Sequence, residues 1–337
     1  MAGDALPPLR VGLVGCGRVG RHLIERSAVG GPFQVVAACD DLCLSSPVVS
    51  FGVRQMSLPE LTQSADIDVL WVTSFWEFPL EAIHAQHLIA ETPFTLGNQV
   101  AEQAYSAAVQ RGRLLLIHHP RRADPEFRQA LAVARDEKIG AVRAAKFVLW
   151  SYGRPPRGAT RGTEPSDRDE YAEPGTTKVR FVAHALDQLV LLIPSRPVRM
   201  LAVGDPSAGV ADLFAGDSLA LHVVFESGCQ AEIDIRLDSP TPFQSGWMLT
   251  GERGGYAKGR QYTLTDEGEV FDSPVTTTDS LEETDQLEWL ARQIRSGVPD
   301  AEEEARARSV VALLDAVQRS LVTSQPVTLN TTAHDRS

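Results

Sequence analysis

The first forty residues constrain this chain most. The run Arg10-Val11-Gly12-Leu13-Val14 leads directly into Gly15-Cys16-Gly17-Arg18-Val19-Gly20. A helical stretch, Arg21 to Ala28, follows, and a second apolar run, Gln34 to Cys39, ends at Asp40, twenty residues after the last glycine. Strand, glycine turn, helix and strand-end carboxylate in this order describe a dinucleotide site. Gly15 permits the tight turn, Gly17 lets the backbone approach a pyrophosphate, and Gly20 lets helix and strand pack closely. Arg18 and Val19 lie at the helix N-terminus, where N–H groups face the phosphate charge. Asp40 is placed to accept hydrogen bonds from the adenosine ribose, and Asp41 beside it would repel a 2′-phosphate. NAD is therefore expected over NADP. The competing interpretation is a ligand-free αβ corner in which Asp40 caps the next turn.

At 337 residues, 43% of them hydrophobic, the chain has the length and the apolar content for two domains. The formal net charge of −12 argues against a nucleic-acid or anionic-membrane surface, since phosphate binding needs a basic footprint. Cys16, Cys39, Cys43 and Cys229 form no C-x-x-C pair and no disulfide framework, which suits a reducing cytoplasm. Met1 to Pro8 carries no apolar signal core and no run approaches bilayer-spanning length, so a soluble, cytoplasmic protein is expected.

Residues 1–120 alternate strand and helix as a doubly wound parallel sheet requires. A small helix is expected over Leu58 to Ser64, a buried strand over Val69 to Thr73, and a helix over Glu77 to Ala90. A turn at Glu91-Thr92-Pro93, a helix from Gln99 to Arg111 and a strand from Leu114 to His118 complete this domain. Asp124-Pro125 then opens an amphipathic helix to about Lys138, ended by Ile139-Gly140. From Ala141 period-2 strands dominate, with a tight hairpin at Ser227-Gly228, so 121–337 is expected to be an α+β domain on a mostly antiparallel open sheet. The stretch Gly153 to Lys178 reads as a long loop, and two amphipathic helices, Leu281 to Ser296 and Glu302 to Thr323, close the chain.

In order and content, residues 10 to about 329 resemble the Gfo/Idh/MocA family of nicotinamide-dependent oxidoreductases. The resemblance rests on Val11 to Gly20, Ala37 to Asp40, Asp66-Ile67-Asp68-Val69, Arg121-Arg122-Ala123-Asp124-Pro125, His184-Ala-Leu-Asp187, the Gly228 hairpin and Gly251-Glu-Arg-Gly-Gly255. It implies a Rossmann domain, a second domain whose open sheet pairs between subunits as a homodimer or homotetramer, and a small-molecule substrate, commonly a sugar or polyol, bound between the domains. It also implies cofactor contacts from Thr73, Ser74 and Glu91, with a plain turn role as the alternative for the first two. The family moves a hydride between nicotinamide and a carbinol or carbonyl carbon, using a lysine in a Glu-Lys-Pro turn and an Asp four residues before a His. Here the turn reads Glu91-Thr92-Pro93 and the helix reads Arg180-Phe-Val-Ala-His184, so His184 alone of the three is kept.

Thr177, Arg180 and His184 make a polar stripe opposite Phe181, Ala185, Leu189 and Leu192. His184 is the candidate acid/base, with Tyr152 or Lys178 as substitutes and Asp187 as partial compensation for the lost aspartate. Arg180 is the candidate for a substrate carboxylate or phosphate, against a salt bridge to Asp167, Asp169, Glu170 or Glu173. Thr92, Tyr152 and Arg122 complete the expected substrate set. His118-His119 is not read as a metal site, because adjacent strand side chains point to opposite faces. Two functions are therefore open: an oxidoreductase with a non-standard proton relay, or a nucleotide-binding sensor, scaffold or non-catalytic subunit that has lost turnover. Elimination or hydrolysis through a transient ketone is a third. Self-association is expected through an uncovered apolar face of the second sheet.

Overall fold

The computed structural model describes residues 6–39, 52–73, 86–150, 176–204, 218–237, 239, 244–276 and 283–329. The described residues divide into two compact units, one of those up to 120 together with 283–308, the other of those from 121 to 276 together with 309–329.

In the first unit the described strands are β1 (Leu9–Val14), β2 (Phe33–Cys39), β3 (Arg54–Gln55), β4 (Val69–Val72), β5 (His87–Glu91) and β6 (Leu115–His118). They form a parallel sheet in the order β3-β2-β1-β4-β5-β6. The order doubles back at β1, so the chain is doubly wound around the glycine turn that follows this strand. Every residue of β4 and of β6 is buried, as strands covered on both faces must be. Helix α1 (Arg18–Ala28) follows the glycine turn, α2 (Leu58–Gln63) starts in a Ser57–Glu60 capping box, and α3 (Asn98–Gln110) leads into β6.

The expected helix over Glu77 to Ala90 is corrected at its end: His87 to Glu91 is strand β5, paired with β4 and β6. Residues 77–85 lie outside the described residues. The three-residue apolar run Leu88 to Ala90 carries no period of its own, and here it serves a strand buried on both sides. The two-residue strand β3 was not foreseen either.

One helix returns to this unit from far along the chain. Leu287, Leu290, Ala291 and Ile294 of α6 (Glu283–Ser296) join Val11, Leu13, Val35, Val69 and Trp71 in one core. A single cut at residue 120 does not describe this division.

The second unit opens with α4 (Pro125–Ala134), after which a separate 3-10 turn, Glu137–Ile139, ends at Gly140. The expected single helix to Lys138 thus breaks at Arg135. Its described strands are β7 (Val142–Trp150), β8 (Pro197–Gly204), β9 (Ser218–Phe225), β10 (Gln230–Arg236), β11 (Gln244–Gly251), β12 (Gly254–Ala257), β13 (Arg260–Leu264), β14 (Val270–Pro274) and β15 (Val327–Thr328). Their order is β14-β13-β12-β11-β7-β10-β9-β8-β15, antiparallel except for the parallel pair β7 and β10. Neither β14 nor β15 was expected from the sequence. Between β7 and β8 lies α5 (Thr176–Leu192), whose Val179, Val182, Ala183, Leu186 and Leu189 are buried. Of helix α7 (Ala301–Thr323), residues 309–323 belong to this unit, and the Ser320 hydroxyl accepts from the Ala202 N–H at 2.9 Å.

Alternation along β10 buries Ala231, Ile233 and Ile235 and turns Gln230, Glu232 and Asp234 the other way. That outward side is cross-linked by polar pairs. Lys146 Nζ lies 3.0 Å from Glu232, Trp150 Nε1 donates to Asp234 at 3.0 Å, and His222 meets Gln230 at 3.2 Å. The same side also carries Ala144, Val148, Ala220 and Val224 and the exposed Val203 and Met248, so along these strands it is mixed, polar and apolar together.

Candidate functional site

In the first unit the glycine turn is built as its spacing requires. Gly15 takes a φ of +94°, in the left-handed region that favours glycine, and its N–H donates to Cys39 O at 2.9 Å. A Cβ on Gly20 would lie 2.5 Å from Gly15 O, so the close pass of α1 over the turn excludes a side chain there. A Cβ on Gly17 would meet nothing within 4 Å, and Gly17 offers no side-chain cap to the first N–H groups of α1. Open space above a glycine and a helix start without a capping side chain suit a diphosphate.

Thr73, at the end of β4, donates its hydroxyl to Gly15 O at 2.8 Å and lies 3.3 Å from Val14 O. Its side chain thus ties the end of β4 to the glycine turn. Val19 packs against the core. Asp40, Ser74, Tyr152 and the Arg18 side chain lie outside the described residues.

Glu91 ends β5 and His118 ends β6, and the two are register partners. Glu91 Oε1 lies 2.8 Å from His118 Nδ1 and accepts from Trp71 Nε1 at 2.9 Å. The imidazole is 3% exposed and stands edge-on to Trp71, with ring centroids 5.3 Å apart. Thr92 is buried, so the position of the family lysine is occupied by a short, uncharged side chain inside the fold. The Glu91, His118 and Trp71 cluster was missed in the sequence. Its one available signal was the predicted strand ending at His118, since Glu91 was expected in the turn after a helix.

In the second unit α5 carries the stripe. Arg180 and His184 are half-buried, while Ala185, Leu189 and Leu192 are buried on the other side, and the Thr177 side chain lies outside the described residues. Arg122 donates from Nε and Nη2 to the two oxygens of Asp187, at 2.8 and 2.7 Å, a bidentate pair with Asp187 buried. The geometry thus commits Arg122, an expected substrate residue, and Asp187, the expected compensation for His184, to each other. Next to it, Gln188 accepts from Trp247 Nε1 at 2.7 Å and donates to Arg121 O at 2.8 Å. Lys178 is buried, with Nζ 3.4 Å from Ser218 O. Among the described residues, no group of three or more His, Cys, Asp or Glu side chains could hold a metal ion, and no helix is long and apolar enough to cross a membrane.

No protein-family model matches the chain. Over 164 residues it is 27% identical to dTDP-3,4-didehydro-2,6-dideoxy-alpha-D-glucose 3-reductase of Actinomadura kijaniata, a match that spans 42% of this chain and 46% of that protein. An NAD-binding protein from Listeria innocua superimposes with a TM-score of 0.77 at 16% identity, covering 98% of this chain and 99% of that one. Myo-inositol 2-dehydrogenase from Lactobacillus plantarum gives a TM-score of 0.73 at 17% identity, over 96% and 100% of the two chains. The chain has the Gfo/Idh/MocA fold. Within this Gfo/Idh/MocA fold the glycine turn is kept, while Thr92 and Arg180 stand where the family resemblance implies a lysine and an aspartate.

Proposed function

We propose that the chain binds NAD and acts as an oxidoreductase on a sugar, polyol or related small molecule. The observation that carries this reading is the intact glycine turn, with open space at Gly17 and a close pass at Gly20. Gly15, Gly17 and Gly20 would hold the diphosphate and Asp40 the adenosine ribose. Nicotinamide, when bound, supplies the hydride acceptor or donor. His184 takes or returns the hydroxyl proton of the substrate, and Arg180 binds a carboxylate or phosphate on it. Thr92 offers a hydroxyl but no charge. The names of the similar proteins, an NAD-binding protein, an inositol dehydrogenase and a sugar reductase, support both cofactor and substrate class.

A second reading is favoured by the same two substitutions together with the engagement of Asp187 by Arg122. In it the chain binds the nucleotide without turnover. Calorimetric titration tests the shared part: NAD(H) is expected to bind several-fold more tightly than NADP(H), and equal or reversed affinities contradict the role of Asp40. Turnover then separates the two readings. Loss of a positioned acid/base costs about 10²–10⁴-fold in rate. NAD reduction on a polyol and sugar panel that falls by that amount in His184→Ala identifies the enzyme. A rate at background in the wild type, raised by Thr92→Lys with Arg180→Asp together, identifies the impaired binder.

A further inference from the structure

The sheet order β3-β2-β1-β4-β5-β6 divides a bound dinucleotide into two halves. The glycine turn follows β1 and takes the diphosphate, and the carboxylate position follows β2 on one side, so the adenosine half lies toward β2. The other half must then run toward the ends of β4, β5 and β6. Adjacent strands are about 4.8 Å apart, which places the end of β5 roughly 10 Å from that of β1. Glu91 and His118 are the last residues of β5 and β6.

We propose, resting on the NAD reading above, that His118 is a positioning residue for the nicotinamide half of the cofactor, acting through Glu91. The carboxylate at 2.8 Å fixes the imidazole tautomer with its hydrogen on Nδ1, and Trp71 Nε1 supplies a second donor at 2.9 Å to the same oxygen. Two donors from two neighbouring strands thus set the direction of the Glu91 side chain. Glu91 is joined directly to Thr92, and the turn continues through Thr95, whose hydroxyl accepts from Gly97 N–H at 3.2 Å, into α3. Thr92 and Thr95 are both buried, so this turn has little freedom once its first residue is fixed. His118 Nε2 is buried with no hydrogen-bond partner among the described residues, where the ring's hydrogen bond is the one to Glu91. A buried imidazole bonded in this way is an unusual choice for a core position, where an apolar ring would pack without leaving a polar atom unmatched.

The test compares NADH with ADP-ribose, which lacks nicotinamide, as ligands of the full chain. His118→Phe keeps an aromatic ring beside Trp71 and deletes the donor, and His118→Asn keeps a short N–H donor. The wild type is expected to bind both ligands. His118→Phe is expected to weaken NADH about tenfold while ADP-ribose stays within about twofold, and His118→Asn should recover most of the loss. If His118→Phe does not fold, Glu91→Gln carries the same comparison and should also weaken NADH selectively. NADH affinity unchanged in the folded variants, or both ligands weakened alike with no recovery in His118→Asn, overturns the assignment and leaves the NAD reading standing. A wild type that binds neither ligand overturns that reading and this inference with it.

Discussion

Two glycines of the same turn make opposite demands, and substitution separates them. At Gly20 a methyl group would meet Gly15 O at 2.5 Å, a backbone atom that cannot swing away. Gly20→Ala should therefore cost about 1–3 kcal/mol of stability and lose dinucleotide binding as well. At Gly17 the φ is −59° and nothing lies within 4 Å of the added Cβ. Gly17→Ala should leave the melting temperature unchanged or slightly raised, since Gly→Ala at a compatible site gains about 0.4–1 kcal/mol from the unfolded chain. Its NAD affinity should nevertheless fall at least about tenfold, because the methyl takes the open space in which the proposed diphosphate would lie. A Gly17→Ala protein that binds NAD normally would place the ligand elsewhere. These glycine roles were legible in the sequence because the demand is local, set within six residues. The pairing of Arg122 with Asp187 was not, since it joins residues 65 apart and depends on how α5 lies beside the start of α4. Pairing of Glu91 with His118 was hidden for a similar reason: it exists only once β5 and β6 are register partners.

At the scale of elements, the strands of the second sheet were legible because alternation reports one buried face, as along β10. Strand β5 was not, because His87 to Glu91 is embedded in a parallel sheet and carries no alternation. The junction of α4 with β11 shows how an element can depend on one half-buried acid. Glu126 accepts from Trp247 N–H at 2.9 Å and from the Tyr256 hydroxyl at 3.1 Å, and a Cβ at Gly246 would lie 2.8 Å from the same oxygen. Burial pushes the Glu126 carboxyl above its ordinary range, against the lowering effect of those two donors. The folded state therefore keeps its proton to higher pH than the unfolded chain does. As pH rises from below the ordinary glutamate value of about 4.3, the unfolded chain ionises first and stability is lost, until the folded carboxyl ionises too. Glu126→Gln keeps an acceptor oxygen and does not titrate. Its melting temperature relative to the wild type is expected to climb between pH 4 and pH 7. A difference that is flat across that range, measured by calorimetry, would show that the acid is ionised in both states throughout.

For the whole molecule, the decisive fact is that the parallel-sheet unit is not continuous in sequence. Helix α6 places Leu287, Leu290, Ala291 and Ile294 in the core of the parallel sheet, more than 160 residues after β6. Its apolar face was readable from the spacing, but a helix face does not say which core it covers, and a cut at residue 120 assigned it to the wrong neighbour. The physical consequence is direct. Leu290 is fully buried, and truncating a leucine in such a core costs about 2–5 kcal/mol, a large share of the 5–15 kcal/mol by which a domain is stable. Removing all four side chains at once, as a fragment ending at residue 120 does, should leave no stable fold although every strand of the sheet and the glycine turn are present. Such a fragment is expected to melt without a cooperative transition by circular dichroism and to bind no NAD. The same fragment joined to residues 281–308 through a flexible glycine-serine linker should recover both, and Leu290→Ala in that joined form should lower its stability by the stated amount. Cooperative melting of 1–120 alone would mean that α6 merely covers a sheet already stable without it, and the dependence argued from the shared core would be wrong.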